Sequence, residues 1–169
     1  MGNFSATLLT HPRYIDKDKC TGCGQCASVC PLSAENEYNC GLSLRGIPCI
    51  KYAQAVPQVY SIDKEHCIGC GICETVCLAK AIHYADQPRR TQIDVGAVVL
   101  ATGNEMYNPS LMDTYSYIDH PNVVTSLEFE RILSASGPYR GRIMRPYDRD
   151  EPSKVAWLQC VGSRGLNKG

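Results

Sequence analysis

The sequence lacks a long apolar segment, an excess of charge of either sign and a recognisable export signal. Its longest purely apolar stretch, residues 95–101, is far shorter than the ~20 residues that a membrane-spanning helix needs. The 17 basic and 17 acidic residues give a formal net charge of +0, which indicates neither a nucleic-acid partner nor an anionic membrane surface. The first residues, Met1-Gly2-Asn3-Phe4, have neither the basic part nor the apolar core of a secretory leader. We therefore expect a cytoplasmic protein with no membrane insertion and no nucleic-acid binding.

Cysteine, by contrast, is abundant and regularly spaced. Of the 11 cysteines, eight form two copies of the pattern C-x2-C-x2-C-x3-C. In two-cluster ferredoxins, three thiolates of such a run bind one [4Fe–4S] cluster and the fourth binds the other. The spacing therefore predicts two [4Fe–4S] clusters with crossed ligand sets. Cluster 1 would be bound by Cys20, Cys23, Cys26 and Cys77, and cluster 2 by Cys67, Cys70, Cys73 and Cys30.

Zinc binding and disulfide formation are the two other uses of such cysteines. A structural zinc site usually has its four ligands in two separated pairs, whereas each run here places three cysteines three residues apart. Disulfides between such closely spaced cysteines are difficult to close geometrically. Glycine separates the ligands in both runs, where the backbone must turn sharply around a cluster; these glycines are Gly22, Gly24, Gly69 and Gly71. The pattern favours iron–sulfur clusters, with zinc the nearer alternative.

Three segments follow one another along the chain. Residues 1–16 are predicted to be an extended lead-in, and residues 17–86 a two-cluster ferredoxin domain of the α+β class. Residues 87–169 are the third segment, and their sequence pattern differs from that of the ferredoxin domain. Pro48 and Pro57 argue against a continuous helix between the cysteine runs, and residues 81–84 are predicted to be the closing strand of the ferredoxin domain.

The last segment has the pattern of α/β structure. Residues 93–100 are a β-branched apolar run, which predicts a buried strand that ends at Ala101-Thr102-Gly103. Thr125-Ser126-Leu127-Glu128 is a capping box and predicts a helix that stops before Gly137. Residues 155–158 predict a second strand. About 80 residues with so few strands cannot easily bury both faces of a parallel sheet, so we expect an incomplete piece of a larger domain.

Several further stretches occur in the order typical of one protein family, and with both cysteine runs they cover nearly the whole chain. They are Gly2-Asn3-Phe4, Pro12-Arg13-Tyr14-Ile15-Asp16, Gln54-Ala55-Val56-Pro57, residues 95–103, residues 122–131, Ser136-Gly137-Pro138 and Gln159-Cys160-Val161-Gly162-Ser163-Arg164. In these stretches the chain resembles an internal piece of the iron–sulfur flavoprotein subunit of heterodisulfide reductase. Members of that family occur in methanogens, sulfate reducers and related anaerobes.

The resemblance implies a ferredoxin module inserted into a thioredoxin-reductase-like flavin domain, of which residues 1–16 and 87–169 would be parts. It also implies that Thr102 and Gly103 lie near FAD. A strand-to-loop turn that uses glycine for its backbone freedom explains these two residues equally well. The family's G-x-G-x-x-G segment, which binds the ADP part of FAD, is absent from the sequence, and the family pattern is lost after Arg164. We therefore expect a truncated product, a fragment or a split subunit that does not retain FAD. Cys160, Cys40 and Cys49 receive no ligand role.

The resemblance also implies electron transfer within a heterodisulfide reductase-type, flavin-linked oxidoreductase. Its partners would be other subunits of that enzyme, hydrogenase or ferredoxin. No nucleophile–base or acid–base pair stands out, so no catalytic residue is assigned and the chain is predicted to be a relay. Two alternatives stay open. One is a stand-alone two-cluster ferredoxin, for which the residues after Pro88 are unnecessary, and the other is the related subunit of quinone-interacting oxidoreductases.

Overall fold

The structure is a computed structural model that describes residues 2–103 and 105–161, and these residues fall into two compact units. The first unit contains the described residues up to Tyr38 together with Leu44–Ala101, and the second contains Asn39–Ser43 with the described residues from Thr102 onward. This division does not follow the predicted boundaries after residues 16 and 86, which stay a prediction. All eight cysteines of the two runs lie in the first unit.

Short strands and very short helices make up the first unit. In chain order they are β1 Phe4–Thr10, α1 Gln25–Ser28, β2 Ser33–Glu35, β3 Leu44–Gly46, β4 Pro48–Cys49, β5 Ser61–Ile62, α2 Ile72–Thr75 and β6 Arg89–Val95. The strands form three antiparallel pairs, β1 with β6, β2 with β3 and β4 with β5. Between the cysteine runs lie the four strands β2 to β5, which form two of these pairs, and a 3₁₀ helix at Glu37–Asn39. The prediction that no continuous helix occupies this stretch is confirmed.

The two cysteine runs have the same backbone conformation. Each short helix begins after a glycine in the left-handed region, Gly24 with φ 82° before α1 and Gly71 with φ 77° before α2. Because glycine adopts positive φ without strain, the chain can turn from the ligand loop into a helix in both repeats. α1 and α2 pack against each other. Apart from Ile47, every residue of the core around them has a counterpart at the equivalent position of the other repeat. The core residues are Ile15, Cys26, Ala34, Ile47, Ile62, Cys73 and Ala81.

The two ends of the cysteine-containing region meet at Ile15 and Ile82. These residues form an isolated antiparallel bridge that is flanked by two backbone hydrogen bonds. The closing strand predicted at this place is therefore present as a bridge and not as a full strand. Next to the bridge, the N–H groups of Arg13 and Tyr14 donate to the Asp86 carboxylate at 2.9 and 3.3 Å.

β1 and β6 form a two-stranded ribbon that is paired along its whole length. The prediction of a buried strand at residues 93–100 is wrong. The strand ends at Val95, and beyond it Val99 and Leu100 are 89% and 83% exposed. A ribbon of only two strands offers little surface on which apolar residues can be buried.

The second unit contains one α-helix among its described residues, α3 at Ser126–Leu133. The Thr125 hydroxyl accepts a hydrogen bond from Glu128 N–H, and the Glu128 carboxylate accepts one from Thr125 N–H, so the predicted capping box and helix are confirmed. The predicted strand at residues 155–158 is wrong, because these residues pair with no strand in the described part of the chain. Even α3, with 8 residues, cannot span a membrane, and no other helix among the described residues is long and apolar enough.

Candidate metal centre

The first three cysteines of the second run and Cys30 line one cavity in the first unit. The loop before α2 carries Cys67 and Cys70, α2 itself carries Cys73, and Cys30 comes from the turn after α1. Apolar side chains complete much of the lining, among them Leu32, Ile47, Ile62, Ile68 and Ile72. The fold thus brings to one cavity the four thiols that the spacing assigns to cluster 2.

Cys26 is the most buried thiol of the first run, with 9% of its surface exposed. Burial, together with the neighbouring thiols Cys20, Cys73 and Cys23, raises the pKa of Cys26 to about 11. Such a thiol is protonated at neutral pH, so iron must displace a proton when it binds there. Cys26 and Cys73 belong to the same buried core, so the two runs approach each other there.

Cys77 lies just after α2 and packs against the same core as Cys20. Its sulfur accepts a hydrogen bond from Ala81 N–H at 3.3 Å. Hydrogen bonds to the sulfur ligands are among the factors that set the potential of a cluster. The structure therefore places Cys77 and the first run against a common core. The ligand set of cluster 1 stays a prediction.

Two tyrosines that no sequence motif indicates lie beside the thiols. The Tyr84 hydroxyl is 3.0 Å from Cys73 Sγ, and Tyr84 lines the cavity of the second run. Tyr60 lies near the first run, where burial and the charges of the neighbouring thiolates raise the pKa of its hydroxyl. Neither tyrosine belongs to a ligand motif, so only their contacts in the folded chain identify them.

The donor set fits a [4Fe–4S] cluster. Each of the eight cysteines is a free thiol, and thiolate is the usual protein ligand of such clusters. Within residues 2–103 and 105–161, no three or more His, Cys, Asp or Glu side chains converge as a site for a single metal ion. A cluster of this type takes one thiolate on each of its irons, so its ligands do not have to converge on one point.

The other three cysteines lie in different surroundings. Cys49 is buried, Arg45 Nη1 donates to its sulfur at 3.7 Å, and burial raises the pKa of its thiol. Burial also raises the pKa of Cys40. Cys160 is exposed, and the rest of its motif, from Gly162 onward, lies outside the described residues. These positions give none of the three a role as a cluster ligand.

Thr102 and Gly103, the predicted FAD contacts, are both exposed. Gly103 has φ 73°, and a Cβ added there would meet nothing within 4 Å. The positive φ accounts for glycine at this position through backbone freedom. Contact of these two residues with FAD stays a prediction.

Two segments of the chain, residues 13–34 and residues 60–82, match the 4Fe-4S binding domain family. They coincide with the two structural repeats that carry the cysteine runs and their buried isoleucines. The class of the protein follows from this agreement of sequence, fold and thiol placement. The chain contains a ferredoxin-like domain of the 4Fe–4S-binding type.

The similar proteins are A subunits of heterodisulfide reductases. The chain is 48% identical over 164 residues to such a subunit of the CoB–CoM heterodisulfide reductase of Methanopyrus kandleri, covering 97% of this chain and 25% of that protein. It is 46% identical over 169 residues to the corresponding subunit of the H(2)/formate:CoB-CoM heterodisulfide,ferredoxin reductase of Methanococcus maripaludis, covering 100% of this chain and 26% of that protein. The chain is therefore homologous, over its whole length, to a segment of this heterodisulfide reductase subunit, and it spans about a quarter of these relatives.

A more distant relative shows the same correspondence. The corresponding subunit of the ferredoxin:CoB-CoM heterodisulfide reductase of Methanosarcina mazei is 37% identical over 170 residues, covering 100% of this chain and 21% of that protein. The match extends beyond the cysteine runs in every case, because the 4Fe-4S segments end at residue 82. The residues after Pro88 therefore belong to the homologous segment.

Proposed function

We propose that this chain transfers electrons through two [4Fe–4S] clusters as part of a heterodisulfide reductase-type, flavin-linked oxidoreductase. The observation that carries the proposal is the cavity that Cys30 shares with Cys67, Cys70 and Cys73. A fourth ligand from the other run is the arrangement that two-cluster ferredoxins use. Homology over the whole chain, including the residues after Pro88, favours this proposal over a stand-alone carrier.

The chain's own residues would hold the clusters, insulate them and fix their relative position. Cluster 1 would be bound by Cys20, Cys23, Cys26 and Cys77, and cluster 2 by Cys67, Cys70, Cys73 and Cys30. Bound clusters supply one-electron redox chemistry, while the protein supplies orientation and electrostatics. Since each run contributes one ligand to the other cluster, the packing of α1 on α2 would keep the two clusters at a constant separation.

The proposed electron partners follow from the relatives. Their names refer to H2, formate, ferredoxin and F420H2 as well as to the CoB–CoM heterodisulfide. We propose that the chain exchanges electrons with other subunits of such an enzyme, with hydrogenase or with ferredoxin, in the cytoplasm. FAD would be bound in the intact family protein, with Thr102 and Gly103 near it, and would not be retained by this chain.

The proposal is tested by metal analysis after strictly anaerobic purification. We expect about eight iron and eight sulfide per chain, little zinc and substoichiometric flavin. Cys70→Ala should remove about half of the iron, whereas Cys40→Ala, which changes a cysteine outside both runs, should remove none. Zinc without sulfide would contradict the proposed electron transfer. Stoichiometric FAD would mean that the chain retains the flavin, contrary to the proposal.

The crossed ligand sets have their own test. Cys30→Ala should abolish the same electron paramagnetic resonance (EPR) signal as Cys70→Ala, because both residues are assigned to cluster 2. Cys23→Ala should abolish the other signal. If Cys30→Ala instead abolishes the signal that Cys23→Ala abolishes, each run binds its own cluster and the crossed assignment is wrong.

A further inference from the structure

We infer that the Tyr84 hydroxyl donates a hydrogen bond to the Cys73 ligand and raises the reduction potential of cluster 2 relative to a chain without this bond. The inference rests on the proposed function, since it concerns a cluster that the proposal places at these cysteines. Tyr84 would thus be a tuning residue that acts on the cluster through one of its ligands. It would make the two clusters of the pair electronically unequal.

The protonation state of an iron-bound cysteine determines which atom donates this hydrogen bond. Tyr84 Oη lies 3.0 Å from Cys73 Sγ, within the distance at which a sulfur acceptor is hydrogen-bonded, and either atom could be the donor in a free thiol. A thiolate bound to iron carries no proton, whereas a phenol can donate one hydrogen. With a cluster bound, the hydroxyl of Tyr84 must therefore be the donor.

The surroundings of this bond strengthen it. Cys73 is only 8% exposed and Tyr84 is half-buried. Water therefore competes little for the sulfur, and a hydrogen bond is stronger where water is largely excluded. Lys64 Nζ lies 5.8 Å from the centre of the Tyr84 ring. A cation over the ring makes the phenol a better donor, and its charge stabilises a nearby negative cluster.

In the part of the chain that the structure describes, the first repeat has no equivalent of this bond. Tyr84 follows Cys77 by seven residues, and the residue at the same distance after Cys30 is Glu37, which is 73% exposed and faces Arg45 at 3.9 Å. Tyr60 lies near the first run, but its hydroxyl packs beside Gly24. It is 3.1 Å from the position that a Cβ on Gly24 would occupy. Within the described residues, no hydrogen bond joins Tyr60 to a sulfur.

The sign of the effect follows from charge. Reduction adds one electron to the cluster, breaks no bond to the protein, and leaves the proton on Tyr84 Oη. The added negative charge is shared by the sulfurs, so a hydrogen bond donated to Cys73 Sγ stabilises the reduced form more than the oxidised form. Removing the donor should therefore lower the potential of cluster 2. We expect roughly a tenfold change in the ratio of reduced to oxidised cluster at a given applied potential, which is about 59 mV for a one-electron couple.

The test is an EPR-monitored redox titration of the full chain with its clusters in place, comparing Tyr84→Phe with Tyr60→Phe. Both variants lose one phenol oxygen near a cysteine run, but only the first loses a hydrogen bond to sulfur. We expect Tyr84→Phe to lower one of the two potentials and to leave the other unchanged, with the wild-type iron content. Tyr60→Phe should leave both potentials within experimental error. Unchanged potentials in Tyr84→Phe, or equal shifts of both, would overturn the inference.

A second substitution covers the case in which Tyr84→Phe fails to retain iron. A fluorinated tyrosine at position 84 keeps the ring and makes the hydroxyl a stronger donor, so it should raise the potential of the same cluster. A lower or unchanged potential would contradict a donated hydrogen bond. Failure of the proposed function would look different, because the wild-type chain itself would then contain no iron and sulfide.

Discussion

Arg45 and Asp63 form a largely buried ion pair in the first unit. Arg45 Nη2 lies 2.7 Å from Asp63 Oδ2, and the two side chains are 10% and 18% exposed. His66 Nδ1 contacts the same carboxylate oxygen at 2.9 Å. Burial acts to raise the pKa of Asp63, but the hydrogen bonds from Arg45 and His66 outweigh it and hold the pKa below its ordinary value of 3.8. The ionised carboxylate therefore stabilises the fold just before the second cysteine run.

Asp63→Asn should lower the apparent melting temperature of the cluster-loaded chain. It leaves the Arg45 guanidinium buried beside a neutral amide, at a cost of about 1–3 kcal/mol, or roughly 4–8 °C for each kcal/mol in a domain of 60–100 residues. Asp18→Asn, which changes an exposed carboxylate before the first run, is the matched control and should have little effect. Anaerobic circular dichroism melts give both values, and equal melting temperatures for the two variants would show that the pair contributes nothing.

The same variant has a defined pH dependence. Because the native pKa of Asp63 is depressed, its contribution is fully present above the unfolded pKa and is lost as the pH falls through the native pKa. The difference in melting temperature between wild type and Asp63→Asn should therefore be complete at about pH 5 and shrink below about pH 4. A difference that stays constant down to about pH 3 would contradict the assignment of the effect to the Asp63 carboxylate.

The cysteines could be recognised from the sequence as candidate ligands, whereas the contact of Tyr84 with Cys73 could not. Spacing along the chain determines which thiols one tight loop can present, so a C-x2-C-x2-C-x3-C run indicates its candidate ligands locally. The contact between Tyr84 and Cys73 depends on how the chain after Cys77 returns to Tyr14, where the His83 N–H donates to the Tyr14 carbonyl. This contact depends on tertiary packing, and no local sequence pattern predicts it.

At the scale of elements, the two ligand loops have the same backbone but different surroundings. Gly22 has φ +69°, and a Cβ added there would lie 2.6 Å from the carbonyl oxygen of Gln58. Gly69 holds the equivalent place in the second loop, with φ +71°, and a Cβ there would meet nothing within 4 Å. The first loop is therefore packed against the backbone before β5, while the second is open.

This difference predicts unequal effects of the same substitution. Gly22→Ala and Gly69→Ala should both incur the cost of placing a Cβ in the left-handed region, about 1–2 kcal/mol. Only Gly22→Ala also forces a backbone carbonyl to move. We expect Gly22→Ala to lower iron content and melting temperature clearly more than Gly69→Ala, as measured by iron assay and anaerobic thermal melts. Equal losses would mean that backbone conformation alone limits both loops.

Helices and strands also differed in how well they could be predicted. The capping box of Thr125 and Glu128 is satisfied within one turn, so the sequence was enough to locate α3. The apolar residues 155–158 could form a strand only if another strand accepted their hydrogen bonds, and the described residues supply none. Trp157 instead contacts Phe129 of α3, with ring centroids 5.6 Å apart. Local signals therefore predicted the helix, and the missing partner explains the failed strand.

At the scale of the molecule, all of the proposed cluster ligands lie in one of the two units. The first unit contains all eight cysteines of the runs, Tyr84, and the core that surrounds them. Apart from Asn39–Ser43, which belong to the second unit, the chain stays in the first unit up to Ala101. It leaves through residues 98–100, which are 57–89% exposed and form no strand. A break in the chain at this place should therefore not disturb the ligands.

We expect cleavage there to leave the clusters intact. A protease recognition site inserted after Val99 allows the same purified protein to be compared before and after cutting, so the uncut sample is its own control. The fragment that ends at the cut should keep about eight iron and both reduction potentials, because neither the proposed ligands nor the hydrogen bonds described to them lie beyond residue 99. Anaerobic gel filtration with iron assay and EPR titration would measure this. If iron is released or a potential shifts on cutting, the residues from Thr102 onward take part in holding the clusters, and the relay would need both units.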